Sequence, residues 1–324
     1  MKQIQTFLFL LLLLPLKLTA IQLEDRMPKS VWQTEISLKF IPSYSRAFNG
    51  YGKESPLQNL LLWDRGWYDL VGGELRREEK KLELKLAYGL TEDWVVAIMI
   101  PFIQKIQISS LKFDSGTAEQ QKVISNLSSE ELNGLGDISI QFGKDLSYST
   151  TFHNIGGFTS RLPTGNKGIR RGINSNSIGE GHGSLGVFFH ITWYPLVHGL
   201  RNSWRIEGKN ELTGERETLE GEKVYYSAGH IADIFYSWSI ERQNIFAGTE
   251  IHYFQQSESK LPLGKSNDSF LKEINFEFGY GNLSELEKKP LLYPWQFRLS
   301  YSKSLAGQNI PLINSWEFSS TFLF

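Results

Sequence analysis

The sequence contains no cysteine. That excludes a disulfide framework and any thiolate metal site. It also lacks an excess of charge of either sign, with a formal net charge of −1 at pH 7. A nucleic-acid partner would ask for a basic face, so none is expected. Long apolar runs are missing beyond the first twenty residues. A spanning helix needs roughly 20 consecutive apolar residues, and the chain after Ala20 has no such stretch. An exported chain of this kind either stays out of lipid or crosses it as strands, because only helices and closed barrels satisfy their backbone groups there. No long helical stripe interrupts the pattern.

The N-terminus reads as a sorting signal. Met1 and Lys2 precede the run Phe7-Leu8-Phe9-Leu10-Leu11-Leu12-Leu13-Leu14, then Pro15 and the end Leu18-Thr19-Ala20. A positive start, a short apolar run and a small residue at the cut form the export pattern. Residues 1–20 are therefore expected to be a signal peptide, and 21–324 the working domain.

Aromatic residues are plentiful at 13%, with 9 Trp and 13 Tyr. They recur at alternate positions. Leu82, Leu84, Leu86 and Tyr88 alternate with Glu83, Lys85 and Ala87. Ile274, Phe276, Phe278 and Tyr280 alternate with Glu273, Asn275, Glu277 and Gly279. Trp295, Phe297, Leu299 and Tyr301 alternate with Gln296, Arg298 and Ser300. A period of two places each set on one side of a sheet. Such segments fall near 30–42, 80–90, 93–108, 134–146, 149–162, 183–197, 200–213, 222–240, 243–256, 270–282, 292–305 and 313–324. Several exceed the 5–6 residues usual for soluble strands and suit tilted spanning strands. Their connections alternate between tight turns, such as Gly89-Leu90-Thr91-Glu92-Asp93, and long loops near 43–79, 109–133 and 163–182. Short periplasmic turns and long external loops mark outer-membrane barrels. The segment 283–291 breaks this rule, being long where a short turn is due. The expected fold is all-β: a transmembrane, antiparallel, up-and-down β-barrel of about 12 strands. The soluble alternative is an exported β-sandwich.

Three motifs carry a resemblance. Leu90-Thr91-Glu92-Asp93-Trp94 runs into Ile98-Met99-Ile100-Pro101-Phe102. Asn133-Gly134-Leu135-Gly136-Asp137-Ile138 opens a strand, and Gly157-Phe158-Thr159-Ser160-Arg161-Leu162-Pro163-Thr164-Gly165 closes one. Over residues 80–324 this order resembles the outer-membrane barrel family labelled "MetA-pathway of phenol degradation". The resemblance implies a closed barrel in the bacterial outer membrane that passes small hydrophobic or aromatic compounds. The segment 43–79, with Trp63, Trp67 and Tyr68, lies outside the matching part. Phe322 and Phe324 resemble the C-terminal signal read by the barrel-assembly machinery. Read without the family, Pro163 ends a strand because it has no ladder donor, and the glycines serve turns.

The polar faces hold the candidate functional residues. Glu35, Glu83, Lys85, Asp137, Arg161, Arg205, Glu207, Lys209, Glu211, Asp233, Glu250, His252, Glu273, Glu277 and Arg298 are expected to line the lumen, with Lys39 beside them. A charge at the lipid midplane costs about 2–4 kcal/mol, so these side chains must face inward. They serve either as a mutually paired structural network or as a selectivity lining for a permeant.

Catalytic signals are weak. Gly181-His182-Gly183-Ser184-Leu185-Gly186 matches G-x-G-x-x-G, but a dinucleotide site needs a strand before it and a helix after it. His182 with Ser184, and His153 with Asn154, are fragments of a Ser–His–Asn hydrolase without a visible triad. Glu250 and His252 share a face, but two ligands fall short of a metal site. No cofactor, metal or catalytic residue is assigned, and no enzyme activity is expected. The expected function is passage of small, hydrophobic or aromatic compounds through the outer membrane, with that membrane's lipid, the assembly machinery and the permeant as partners. The alternatives are an outer-membrane lipid hydrolase and a surface-exposed structural or binding barrel without flux. The hydrolase requires Ser, His and an orienting polar group to meet on one outer wall.

Overall fold

The structure is a computed structural model and describes residues 31–62, 71–113, 116–149, 151–165, 178–179, 182–193, 200–217, 223–226, 229–242, 244–257, 260–261, 264–265, 268–281 and 295–323. The expected signal peptide, Phe324, the connection 283–291 and Trp63, Trp67 and Tyr68 lie outside these residues.

Twelve long strands form the wall. They are β1 Trp32–Tyr44, β2 Leu75–Gly89, β3 Trp94–Ser109, β4 Ile138–Tyr148, β5 Phe152–Leu162, β6 Ser184–Trp193, β7 Leu200–Glu211, β8 His230–Arg242, β9 Ile245–Gln256, β10 Ser269–Gly281, β11 Trp295–Gln308 and β12 Asn314–Leu323. Each pairs antiparallel with its neighbours in sequence. The circle closes through β1, which pairs with both β2 and β12: Glu35 stands opposite Lys85 on one side and Thr321 on the other. Closure leaves no open edge in the ring of twelve, the condition for a sheet to sit in lipid.

Alternation sorts the side chains. On β10, Ile274, Phe276, Phe278 and Tyr280 point outward, and Phe276, Phe278 and Tyr280 are about half exposed. Glu273, Asn275 and Glu277 point inward. The same holds around the wall, where Leu38, Phe158, Val187, Ile206, Trp238, Ile251 and Leu299 are all exposed. An apolar outer face this continuous is expected of a barrel in a bilayer. Aromatic pairs sit at both rims. Trp32–Tyr88 (4.6 Å) and Tyr280–Trp295 (5.5 Å) mark the short-turn end, and Tyr301–Trp316 (4.7 Å) lies towards the long-loop end.

Three strand boundaries differ from the sequence pattern, the first being β4, which begins at Ile138 rather than 134 because Gly134 and Leu135 belong to the short strand Glu130–Leu135. β2 begins at Leu75 rather than near 80, because the charged stretch Arg76–Lys81 still pairs residue for residue with Ile108–Ile103. β8 begins at His230 rather than 222. Residues 223–226 instead pair with 214–217 as a separate hairpin, and the break falls at Gly229, where any side chain would overlap the backbone of Ser257.

The first two long loops build a small apolar core of their own. Helices α1 (Leu57–Leu62) and α2 (Ala118–Asn126) bring Leu57, Leu62, Val123 and Ile124 against Leu75, Phe113 and Leu127. α2 starts on a capping box in which Thr117 and Gln120 satisfy each other's backbone, the device that fixes a helix N-terminus. The short strand Glu130–Leu135 then pairs with the outer half of β3, and β4 takes over the inner half.

Candidate functional site

The inner wall is the one surface where polar and charged side chains converge. The register places every lumen candidate except Asp137, which precedes β4, on the inward face of its strand. Most are paired. Glu35 meets Lys85 at 3.6 Å, and Glu83 meets Lys81 at 2.6 Å. Glu277 and Arg298 stand 3.6 Å apart. Glu250 sits between Ser237 and Asn275 by register, and Lys39 between Lys81 and Glu317.

From β7 to β10 the pairs join into a chain. Arg205 contacts Glu207 (3.2 Å), Glu207 contacts Lys209 (3.1 Å), and Lys209 contacts Asp233 (3.3 Å). Asp233 then meets His252 Nε2 (3.0 Å), and His252 Nδ1 meets Glu273 (3.2 Å). Both ring nitrogens of His252 face carboxylate oxygens, which are acceptors, so the arrangement is satisfied only when each nitrogen carries a proton. With an imidazolium in place the six groups alternate in sign and sum to zero. Phe235 stacks on the His252 ring at 4.1 Å and 2°. Nearer the long-loop end, Glu211 accepts from Arg161 (2.8 Å) and Gln256 (3.3 Å), and its Oε1 lies 3.1 Å from His182.

Asp137 faces inward, but its carboxylate accepts from the Gly165 backbone N–H at 2.8 Å. Thr164 Oγ1 accepts from the Ile138 N–H at 2.9 Å and donates to the Gly136 carbonyl at 3.2 Å. The Leu-Gly-Asp and Leu-Pro-Thr-Gly elements are thus two halves of one staple that ties β4 to the end of β5.

Inner apolar residues escaped the sequence reading. β3 turns Val95, Ala97, Met99, Pro101 and Ile103 inward, and Ile155 and Phe188 extend this apolar lane across β5 and β6. The signal was there: Val95–Ile103 is apolar on both faces, whereas a half-wetted strand alternates. Phe188 lies over Gly157, with the Arg205 guanidinium 5.1 Å from its ring. Phe246 lies in the same way over Gly279, with Arg298 at 5.5 Å. In both, an absent side chain makes room for a ring on the neighbouring strand.

Ser184 is buried on the inner face, and the His182 ring is engaged with Arg161 and Glu211. His153 faces inward and Asn154 outward. Among the described residues, one outer-wall row does bring the three residue types together: Asn210, His230 and Ser257. His230 Nδ1 pairs with Asn210, but Ser257 Oγ accepts from the His230 backbone N–H at 2.7 Å and makes no bond to the ring. No nucleophile is poised there. Among the described residues, no group of three or more His, Asp or Glu side chains is arranged to hold a metal ion.

Comparison with known proteins sets this geometry in context. No protein-family model matches the chain, and no curated protein matches it. Among solved structures, the COG4313 outer membrane channel from Pseudomonas putida F1 superposes with a TM-score of 0.68 at 10% identity, covering 94% of this chain and 100% of that one. The translocator domain of the autotransporter NalP from Neisseria meningitidis gives 0.44 at 7% identity, covering 92% and 90%. The CymD monoaromatic hydrocarbon channel gives 0.39 at 8%, covering 92% and 88%. The closed ring of twelve antiparallel strands with an apolar outer face is the fold of a bacterial outer-membrane β-barrel.

Proposed function

We propose that this barrel is a passive outer-membrane channel for small hydrophobic or aromatic solutes. The observation that carries this reading is the division of the inner wall. One arc, β3 to β6, presents an apolar lane of Val95, Ala97, Met99, Ile103, Ile155 and Phe188, set between the polar Gln141, His153, Thr159 and His190. The other arc, β7 to β11, carries charges already paired with each other. A neutralised chain leaves little field to select ions, whereas an apolar strip lowers the cost of a solute that water holds poorly. On this reading the charged arc keeps the lumen wetted and shaped, and the solute's apolar body travels along β3.

The test is flux. Purified protein is placed in liposomes, and uptake of a small phenol is compared with uptake of a sugar of similar size. The expected result is protein-dependent uptake that favours the phenol several-fold. Faster sugar uptake would sink the substrate class, and no protein-dependent uptake of either would point to a structural barrel.

A further inference from the structure

Charge on the outer wall is paired at some positions and not at others, and Lys144, at the short-turn end against the Trp94 ring, is one cation without a carboxylate partner among the described residues. Towards the long-loop rim, Lys80 pairs with Glu78 at 3.1 Å and Arg76 with Glu74 at 2.7 Å. Lys272 on β10 and Lys303 on β11 have no carboxylate partner among the described residues. Both are exposed and point outward. Lys303 stands opposite Ile274 and Asn314, and Lys272 opposite Tyr253 and Ala306. Lys272 and Lys303 are therefore outward neighbours on adjacent strands, on either side of the bulge that inserts Leu305 between Ser304 and Ala306. Lys272 Nζ lies 6.0 Å from the Tyr253 ring centre. Ile274, Tyr253, Tyr301 and Leu305 surround the pair with apolar or aromatic surface.

Their height matters. Tyr280 and Trp295 touch at the short-turn rim. Eight residues separate Tyr280 from Lys272, and eight separate Trp295 from Lys303. At about 3.3 Å per residue and a tilt near 40° that is roughly 20 Å of vertical rise, against an apolar band about 25 Å tall. Both lysines thus lie high on the outward face, near the external interface, with Phe270 and Leu305 beyond them. Two ammonium groups on neighbouring outward positions repel each other, and the low dielectric beside them strengthens that repulsion. An anion with oxygens disposed towards both would relieve it, and lipid headgroups supply one at this depth.

We propose that Lys272 and Lys303 form a binding site for a phosphorylated lipid headgroup of the external leaflet. The ammonium groups take the phosphate oxygens, and Tyr253 and Leu305 lie against the glycan or acyl portion. The same chemistry could bind soluble phosphate, so the test separates the two sources. Refolded protein in neutral detergent is titrated with a diphosphoryl glycolipid, with its dephosphorylated counterpart and with inorganic phosphate. The readout is the temperature at which the compact barrel loses its fast electrophoretic mobility. Wild type is expected to gain several degrees with the diphosphoryl lipid and none with the other two. The Lys272→Gln/Lys303→Gln pair should lose most of that gain, Lys272→Arg/Lys303→Arg should keep it, and Lys80→Gln should keep it too. Equal gains in the Gln pair and wild type would overturn the site. So would an equal response to the dephosphorylated lipid, and an equal response to inorganic phosphate would overturn the lipid assignment. If the Gln pair does not fold, the wild-type comparison of the three ligands decides alone.

Discussion

Asn275 and Phe276 are adjacent in the chain and face different solvents. Asn275 points inward beside Glu250 and Ser302, and Phe276 points into lipid beside Tyr301. Phe276→Arg is expected to lower the refolding free energy by about 2–4 kcal/mol, the cost of an arginine near midplane, and Asn275→Arg by clearly less. Urea titrations of both variants check this, and equal losses would mean the faces are misassigned. Gly279 makes a second case. A β-carbon there would overlap the Phe246 ring, so Gly279→Ala should cost about 1–3 kcal/mol through overpacking. Restoring stability with Phe246→Leu in the same background would show that the ring causes the loss. The inward set was legible because a period of two leaves charged residues only one place to go. The rings over Gly157 and Gly279 were not, since the alternation of one strand says nothing about what a neighbouring strand omits.

Strands and loops behave as paired units. The staple between β4 and β5 uses Thr164 and Asp137 together, each bonded across to the other segment. Thr164→Val keeps the shape and removes the bond to the Ile138 N–H. It should cost about 1 kcal/mol, and Asp137→Asn at Gly165 should cost a comparable amount. Exchange of the Ile138 amide with deuterium should quicken in Thr164→Val, and an unchanged rate would show that the contact is not formed. Glu211 is a larger case. It is shared by Arg161, His182 and Gln256, so Glu211→Ala leaves buried donors without an acceptor and should cost about 3–5 kcal/mol. The order of the strands and the sides of the short turns were readable from alternation and turn residues. The hairpin 214–217 with 223–226 was not, because Val224 and Tyr226 continue the alternation of β8 and only the pairing geometry separates them.

At the scale of the molecule, twelve strands enclose a lumen in which an apolar lane, strongest on β3, runs beside polar and paired charged side chains. The charged arc could be expected from composition, since charges on a lipid-facing wall are costly. The apolar arc was hidden, because β3 is apolar on both sides and its inner face looks like more of its outer one. Which arc guides the solute is the central question, and uptake of a small phenol by proteoliposomes answers it with two variants. Ile103→Glu places a charge in the lane, and Lys209→Met breaks the chain that joins Glu207 to Asp233. Uptake should fall several-fold in Ile103→Glu while its folded fraction holds. Lys209→Met should lower the urea midpoint and leave uptake within about twofold of wild type, as removing one partner of a buried pair taxes stability first. The reverse pattern, with uptake lost in Lys209→Met and unchanged in Ile103→Glu, would contradict the apolar route and make the charged arc the path.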